Sequence, residues 1–202
     1  MNGISVTNGI YAANGINLAS GTAGTRSATG TNGTTGKKGT LYFFTGLSGA
    51  GKTTIGGAFH RRRKAENNAT VLLDGDSIRP VYLDSIGYSD ADRLLGAKRT
   101  FRVGKMLTDQ NIDVVVCSIC MYTEVRDWNR EHIENYREIY IKVSKETLYR
   151  RDQKGLYSSG TQVVGIDLPF DEPKTPDIII ENDGDENPAA IVDRLEEALG
   201  LR

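Results

Sequence analysis

The chain has 202 residues, 38% of them hydrophobic, and its 25 Lys and Arg against 26 Asp and Glu leave a formal charge of −1. That length supports one α/β domain with a full core, and the near-neutral balance excludes nucleic acid as the main partner, because phosphate-backbone binding needs clustered positive charge. No apolar run approaches the roughly 20 residues that span a bilayer, and nothing reads as a secretory signal, so the expectation is a soluble cytoplasmic protein without a membrane partner.

Residues 1–40 contain no Asp or Glu and repeat Asn-Gly-Ile at 2–4, 8–10 and 14–16 in a background of Gly, Thr, Ser and Asn. Such a composition buries too little apolar surface to offset its ordering entropy, which predicts a flexible low-complexity tail. Arg26 is the one arginine in it, so the basic amphipathic pattern of an organelle transit peptide is missing. The folded domain is then expected at 41–202.

From Leu41 strand and helix patterns alternate. LYFFTG (41–46) reads as a buried strand, and Thr53 to Lys64 as the helix after it, although Gly56 and Gly57 weaken that helix by about 1 kcal/mol each. VLLDGD (71–76) is a second strand, ending in two carboxylates. Ser89 with Asp92 forms a capping box for a helix reaching about Gln110. IDVVVCSI (112–119) and EIYIKV (138–143) are the third and fourth strands, and Ser144 opens a helix to about Asp152. DIIIEN (177–182) is the fifth strand, and Pro188 starts a last helix with Ile191, Leu195 and Leu199 on one face. Continuous rather than alternating apolar strands, separated by helices, predict an α/β fold: a doubly wound, five-stranded parallel sheet covered on both faces.

The stretch Gly46, Leu47, Ser48, Gly49, Ala50, Gly51, Lys52, Thr53, Thr54 meets the pattern G-x-x-x-x-G-K-[ST] between a predicted strand and a predicted helix. Glycines let the backbone curl so that successive N–H groups face phosphate oxygens, and the helix N-terminus adds partial positive charge. Lys52 is expected to bridge the β- and γ-phosphates of ATP, and the Thr53 hydroxyl to ligate Mg²⁺. The chain has no Asn-Lys-x-Asp guanine motif, and its third strand ends in Cys117-Ser118 rather than the Asp-Glu of a motor ATPase. Acids come instead at the second strand's end, as Asp74 and Asp76, where open α/β sheets bind ligands. With Lys52 they are the catalytic candidates: one carboxylate accepts a substrate hydroxyl proton or orients the magnesium shell. Arg79 follows at a spacing suited to an anionic substrate. Arg151 and Lys154 sit on a Gly-containing segment, with Gly155 to Gly160, which reads as a lid over ATP.

Together these residues resemble the adenylylsulfate kinase (APS kinase) family, over about residues 41–184. GLSGAGKTT (46–54) is similar to that family's P-loop, and LLDGD (72–76) followed by Arg79 to its substrate-side motif. IGYSDADR (86–93) matches the stretch that brings an aromatic, Tyr88, and an arginine, Arg93, to the bound nucleotide. RDQKGLY (151–157) resembles the start of the lid, and GIDLPFDEP (165–173) the segment after it. The resemblance implies transfer of the ATP γ-phosphate to the ribose 3′-hydroxyl of adenylyl sulfate, giving PAPS, by an enzyme commonly homodimeric.

The departures all fall on the acceptor side. Gly96 stands where the family usually has an asparagine, and Ser118-Ile119-Cys120-Met121 where it usually reads Phe-Ile-Ser-Pro. The lid is shorter and lacks a Phe that packs on the substrate adenine, leaving Tyr88, Tyr122 or Phe170 to fill the gaps. Ser118, Ile119, Lys154, Asp76, Arg79, Tyr88 and Arg93 are the substrate-binding candidates. MYTEVRDWNR (121–130) is also similar to family members found with surface-polysaccharide pathways, so phosphorylation of cytidine diphosphoramidate is the alternative to adenylyl sulfate. A non-catalytic nucleotide-binding domain is a third reading, opposed by intact Lys52, Thr53, Asp74 and Asp76. Cys117 and Cys120 read as structural, lacking a second ligand pair for zinc. His60 and His132 read as incidental, and Trp128 as half-buried packing, with a place beside Arg126 in the acceptor pocket as its alternative.

Overall fold

The central strand is apolar on both faces, and the layering follows from that. A computed structural model describes residues 9–12, 37–85, 87, 89–152, 155, 164, 165 and 167–202. Strand β2 (Leu41–Thr45) directs Leu41 and Phe43 to one side of the sheet and Tyr42 and Phe44 to the other, and all four are buried. It lies between β4 (Asp113–Cys117) and β5 (Tyr136–Lys142), parallel to both. β3 (Thr70–Asp74) adds to β4, and β6 (Ile178–Glu181) to β5, again in parallel.

Helices cover both faces, as the continuous apolar strands require. On one side lie α1 (Lys52–Glu66) and the last helix, α6 (Pro188–Ala198), which buries Ile191, Val192 and Leu195. Phe59 of α1 sits 4.9 Å from the Tyr42 ring and 5.5 Å from that of Phe44; burying one such side chain stabilises by about 1.5–3 kcal/mol. The opposite side holds α3 (Asp90–Thr108) and α4 (Thr123–His132). There Phe101 meets Phe43 edge-on at 4.8 Å, and Val125 joins the same cluster. The described elements also include the short α2 (Gly75–Ile78), a 3₁₀ segment (Arg79–Ser85) and α5 (Lys145–Arg151).

Local signals explain most boundaries. Ser89 and Asp92 cap α3 reciprocally, each backbone N–H bonding the other's side chain at 3.2 Å. Ser144 caps α5, and Asn187 with Pro188 in the first turn starts α6. Gly56, which in isolation weakens α1, is what lets α1 lie against β4: a Cβ there would collide with Cys117 Sγ.

Two expectations are corrected. Among the described residues the sheet has six strands, not five, in the order β1 (Ile10–Ala12)-β6-β5-β2-β4-β3. Its extra strand, β1, runs antiparallel to β6 and comes from the stretch read as a flexible tail. Composition failed there because three residues need no core of their own when a sheet edge offers partners: Glu181 N–H donates to the Gly9 carbonyl at 2.7 Å, and Tyr11 Oη to Glu181 Oε1 at 3.0 Å. The remainder of that stretch, residues 1–8 and 13–36, lies outside the described residues. The second correction is local. The strand read as VLLDGD stops at Asp74, and Gly75-Asp76 begin α2, so the two carboxylates occupy different kinds of backbone.

Candidate active site

The phosphate-binding loop follows the carboxyl end of β2. Gly46 to Gly51 form the turn, and Lys52, Thr53 and Thr54 the first turn of α1. The α1 N-cap, Gly51, adopts φ 103° and offers no side-chain cap, and no acid stands in the first turn. The first N–H groups of the helix therefore remain available to an anion. Lys52 Nζ donates to the Leu47 carbonyl at 2.7 Å, which folds the lysine back over its own loop.

Opposite the loop stand the strand-end carboxylates. Thr53 Oγ1 donates to Asp74 Oδ2 at 2.7 Å, while Asp74 Oδ1 accepts the Asp76 backbone N–H at 3.0 Å. Asp74 is thus fixed between the P-loop threonine and the turn that carries Asp76. The donor set is all oxygen, from one hydroxyl and a neighbouring carboxylate, which suits a hard cation such as magnesium that keeps several waters and shares phosphate oxygens. No cluster of three or more His, Cys, Asp or Glu side chains able to hold a metal by themselves occurs among the described residues.

Next to the loop, across the ends of β3 and β4, opens a cavity of about 130 Å³. Arg79 and Arg93 supply its cations, Tyr82 and Tyr122 its aromatic faces, and Ser118 and Ile119 its floor at the end of β4. Each wall is held from outside. Arg79 donates to the Gly87 carbonyl and adds its charge to the pull that lowers the Asp92 carboxyl, which comes first from the Ser89 hydroxyl. Thr45 Oγ1 at the end of β2 donates to the Ile119 carbonyl at 2.6 Å, tying the floor to the strand that precedes the P-loop. Tyr122 Oη donates to the Asp90 carbonyl and to Asp90 Oδ1, both at 2.8 Å; burial, then Asp90, raises this phenol. Tyr82 Oη pairs with Thr100 Oγ1 at 3.0 Å.

The two cysteines stand back from the chemistry. Burial pushes both thiols up to about 12, so neither is a nucleophile near neutral pH. Cys117 Sγ donates to the Lys52 carbonyl at 3.5 Å, beneath the P-loop helix. Cys120, with φ 37°, bends the chain into the cavity wall. Its carbonyl accepts from Arg126 Nη1 at 2.9 Å, and Arg126 Nη2 reaches the Asp171 carbonyl at 2.7 Å. Arg126 is 4% exposed and lies 3.8 Å from Glu138, whose carboxyl is raised by burial against the opposing pull of Arg130 and Arg126. Arg126 is therefore a strut behind the cavity, not part of its lining. Trp128 is not in that cavity either: it stacks on His132 with centroids 4.6 Å apart and lines a separate groove with Lys98, Arg102 and Glu124.

The structure thus gathers Gly46 through Thr54, Asp74, Asp76, Arg79, Arg93, Ser118 and Ile119 around one set of strand ends. Arg151 sits at the end of α5 and donates to the Gly184 carbonyl at 2.8 Å, beside the loop after β6. Tyr88 and Lys154 lie outside the described residues. Of the proposed gap-fillers, Tyr122 lines the cavity, whereas Phe170 packs near Tyr140 at 6.3 Å and faces a different cavity beside Leu47. Sequence reasoning missed Tyr82, Thr100 and Val164 in the wall, Thr45 behind its floor, and Asn182 behind the phosphate-binding loop. These residues carry no motif, and only the placement of their elements reveals them.

Comparison with known proteins agrees with this fold. The family model for adenylylsulphate kinase matches residues 38–181. A cytidine diphosphoramidate kinase of Campylobacter jejuni is 39% identical over 147 residues, covering 70% of this chain and 85% of that protein. An adenylyl-sulfate kinase of Geotalea uraniireducens is 37% identical over 146 residues, covering 69% of this chain and 70% of that protein. Among solved structures, the Mycobacterium tuberculosis APS kinase CysC, in complex with AMPPNP and APS, superposes with a TM-score of 0.72 at 28% identity, covering 82% of this chain and 99% of that one. The chain belongs to the adenylylsulphate kinase family, whose members are ATP-dependent phosphotransferases acting on a hydroxyl.

Proposed function

We propose that this chain transfers the γ-phosphoryl group of ATP to a sugar hydroxyl of an anionic nucleotide, with adenylyl sulfate as the first acceptor. The observation that carries this reading is the pairing of a P-loop with a two-arginine cavity across adjacent strand ends. Loop N–H groups from Gly46 to Gly51 and the Lys52 ammonium hold the phosphates, with Leu47, Ser48, Gly49, Ala50 and Thr54 shaping the same turn. Arg79 and Arg93 clamp the acceptor's anionic group, Ser118 and Ile119 support it, and Tyr88 is a further substrate-binding candidate. Asp76 accepts the hydroxyl proton as the new O–Pγ bond forms and the bond to the ADP oxygen breaks. Arg151 and Lys154 belong to the lid that excludes water from the transfer. The Thr53 hydroxyl would hold magnesium with Asp74 orienting its shell, and the ion would supply charge neutralisation on the phosphates.

A second acceptor, cytidine diphosphoramidate, is favoured by the makeup of the cavity wall. Gly96, Cys120 and Val164 are small, and the described aromatic faces are Tyr82 and Tyr122. A pocket with fewer stacking faces loses about 1–3 kcal/mol per unstacked base, which disfavours a purine more than a pyrimidine. The 39% identity to the Campylobacter enzyme points the same way. We read the enzyme as cytoplasmic and homodimeric, and with adenylyl sulfate as acceptor it serves sulfate assimilation.

A coupled ADP-release assay with Mg-ATP, comparing the two acceptors, separates these readings. A kcat/KM at least a hundredfold higher for one identifies it. If ATP binds but neither acceptor, nor any other nucleotide, releases ADP, the kinase reading fails.

A further inference from the structure

The P-loop of this chain is held from behind by a residue that no phosphate-binding motif contains. Asn182 follows β6 and is 7% exposed. Its Nδ2 donates to the Ala50 carbonyl at 2.8 Å, in a buried bond that spans 132 positions of sequence. A phosphate cradle turns successive N–H groups toward the ligand, so a buried carbonyl of the same loop needs a donor elsewhere, and leaving one unmade costs more than the bond itself contributes. Ala50 is 0% exposed, which removes water as the substitute.

Gly51 and Asn182 are shaped to each other. A Cβ on Gly51 would lie 2.8 Å from Asn182 Nδ2, closer than real Cβ contacts. The glycine thus serves its left-handed turn and also leaves the space through which the amide reaches Ala50. The amide is aimed by well-paired backbone. Asn182 N–H donates to the Lys142 carbonyl of β5 at 2.9 Å, and the preceding Glu181 N–H donates to Gly9 beside β1 at 2.7 Å. The sheet therefore presents this side chain at a set height under the loop.

We propose that Asn182 is a positioning residue for the phosphate-binding loop, fixing the Ala50-Gly51 peptide so that the loop N–H groups are ready for the donor nucleotide. This rests on the reading of the loop as an ATP site. Its consequence is confined to the donor: Asn182 touches neither the cavity that holds Arg79 and Arg93 nor the carboxylates.

The test uses the full chain, with calorimetric titration of Mg-ATP and steady-state kinetics on wild type, Asn182→Ala and Asn182→Asp. The aspartate keeps the shape but removes the donor. Both variants are expected to weaken Mg-ATP binding and raise the KM for ATP about tenfold or more, with the acceptor KM within twofold of wild type. Thermal unfolding controls for general damage, and Asn182→Ser, which retains a short donor, is expected to recover part of the affinity. If wild type itself fails to bind ATP, the ATP-site reading falls. If wild type binds and both variants bind equally well, or if donor and acceptor KM rise together, Asn182 does not position the loop.

Discussion

In the proposed site, the donor half is mostly backbone, joined by the Lys52 and Thr53 side chains, and the acceptor half is made of side chains. Between Gly46 and Thr54 one contiguous turn and one helix start form the proposed phosphate site, with glycine where the chain must turn left-handed or meet a neighbour closely. The acceptor cavity draws instead on separate segments: the 3₁₀ stretch with Arg79 and Tyr82, α3 with Arg93 and Thr100, and the chain after β4 with Ser118 to Tyr122. Backbone recognition tolerates little change of residue type, because conformation is what is selected. Side-chain recognition changes with single substitutions that leave the fold alone. One protein can therefore keep its donor and alter its acceptor.

The sharpest test of that division is at Asp76, which stands between the halves. Asp76→Asn is expected to lower kcat by at least about 10²-fold, since a positioned general base contributes about 10²–10⁴. The KM for ATP should stay within about threefold, because the backbone N–H that Asp74 accepts survives the change. Near-normal turnover would remove Asp76 from the proton transfer.

A smaller effect is expected behind the acceptor wall. Arg126→Ala takes donors from the Cys120 and Asp171 carbonyls and leaves buried Glu138 with less opposing charge. Breaking a buried pair costs about 3 kcal/mol, or roughly 6–12 °C in Tm for a domain of this size. Because the Cys120 carbonyl anchors the cavity wall, the acceptor KM should rise about tenfold while the KM for ATP holds. A loss of Tm with the acceptor KM unchanged would mean that the wall keeps its shape without this strut.

The same division decides what could be read from residues alone. Strand order aside, the parallel core was legible because its strands read as continuous rather than alternating apolar runs, and the P-loop because its chemistry is local. Capping at Ser89 and Ser144 and the Pro188 start were legible for the same reason. Tyr82, Thr100 and Asn182 were not, since each acts only through a partner brought close by the fold. Trp128 was legible as half-buried packing, and it packs on the core cluster beside His132 and Arg102; its alternative place in the acceptor pocket is not the one it takes. β1 escaped because its stabilisation comes from the β6 edge and not from its own composition.

That last strand yields the smallest effect and a clear contradiction with composition. If residues 1–40 were only a tail, removing any of them would change nothing. The structure instead has Ile10–Ala12 covering β6, whose sequence Ile-Ile-Ile-Glu would otherwise present an open apolar edge. Unpaired edges of this kind recruit other strands. Deleting residues 1–12 is expected to cost about 1 kcal/mol, near 2–4 °C in Tm, and to increase self-association at high concentration, with kcat within twofold of wild type. Deleting residues 1–8 keeps β1 and serves as the control, with Tm and association both unchanged. Equal Tm for the two truncations, with no added association, would show that β1 contributes nothing to the edge it covers. A drop in Tm for the longer truncation alone assigns the stabilisation to the four residues Gly9 to Ala12, and a further rise in the KM for ATP would carry it through Glu181 and Asn182 to the donor loop.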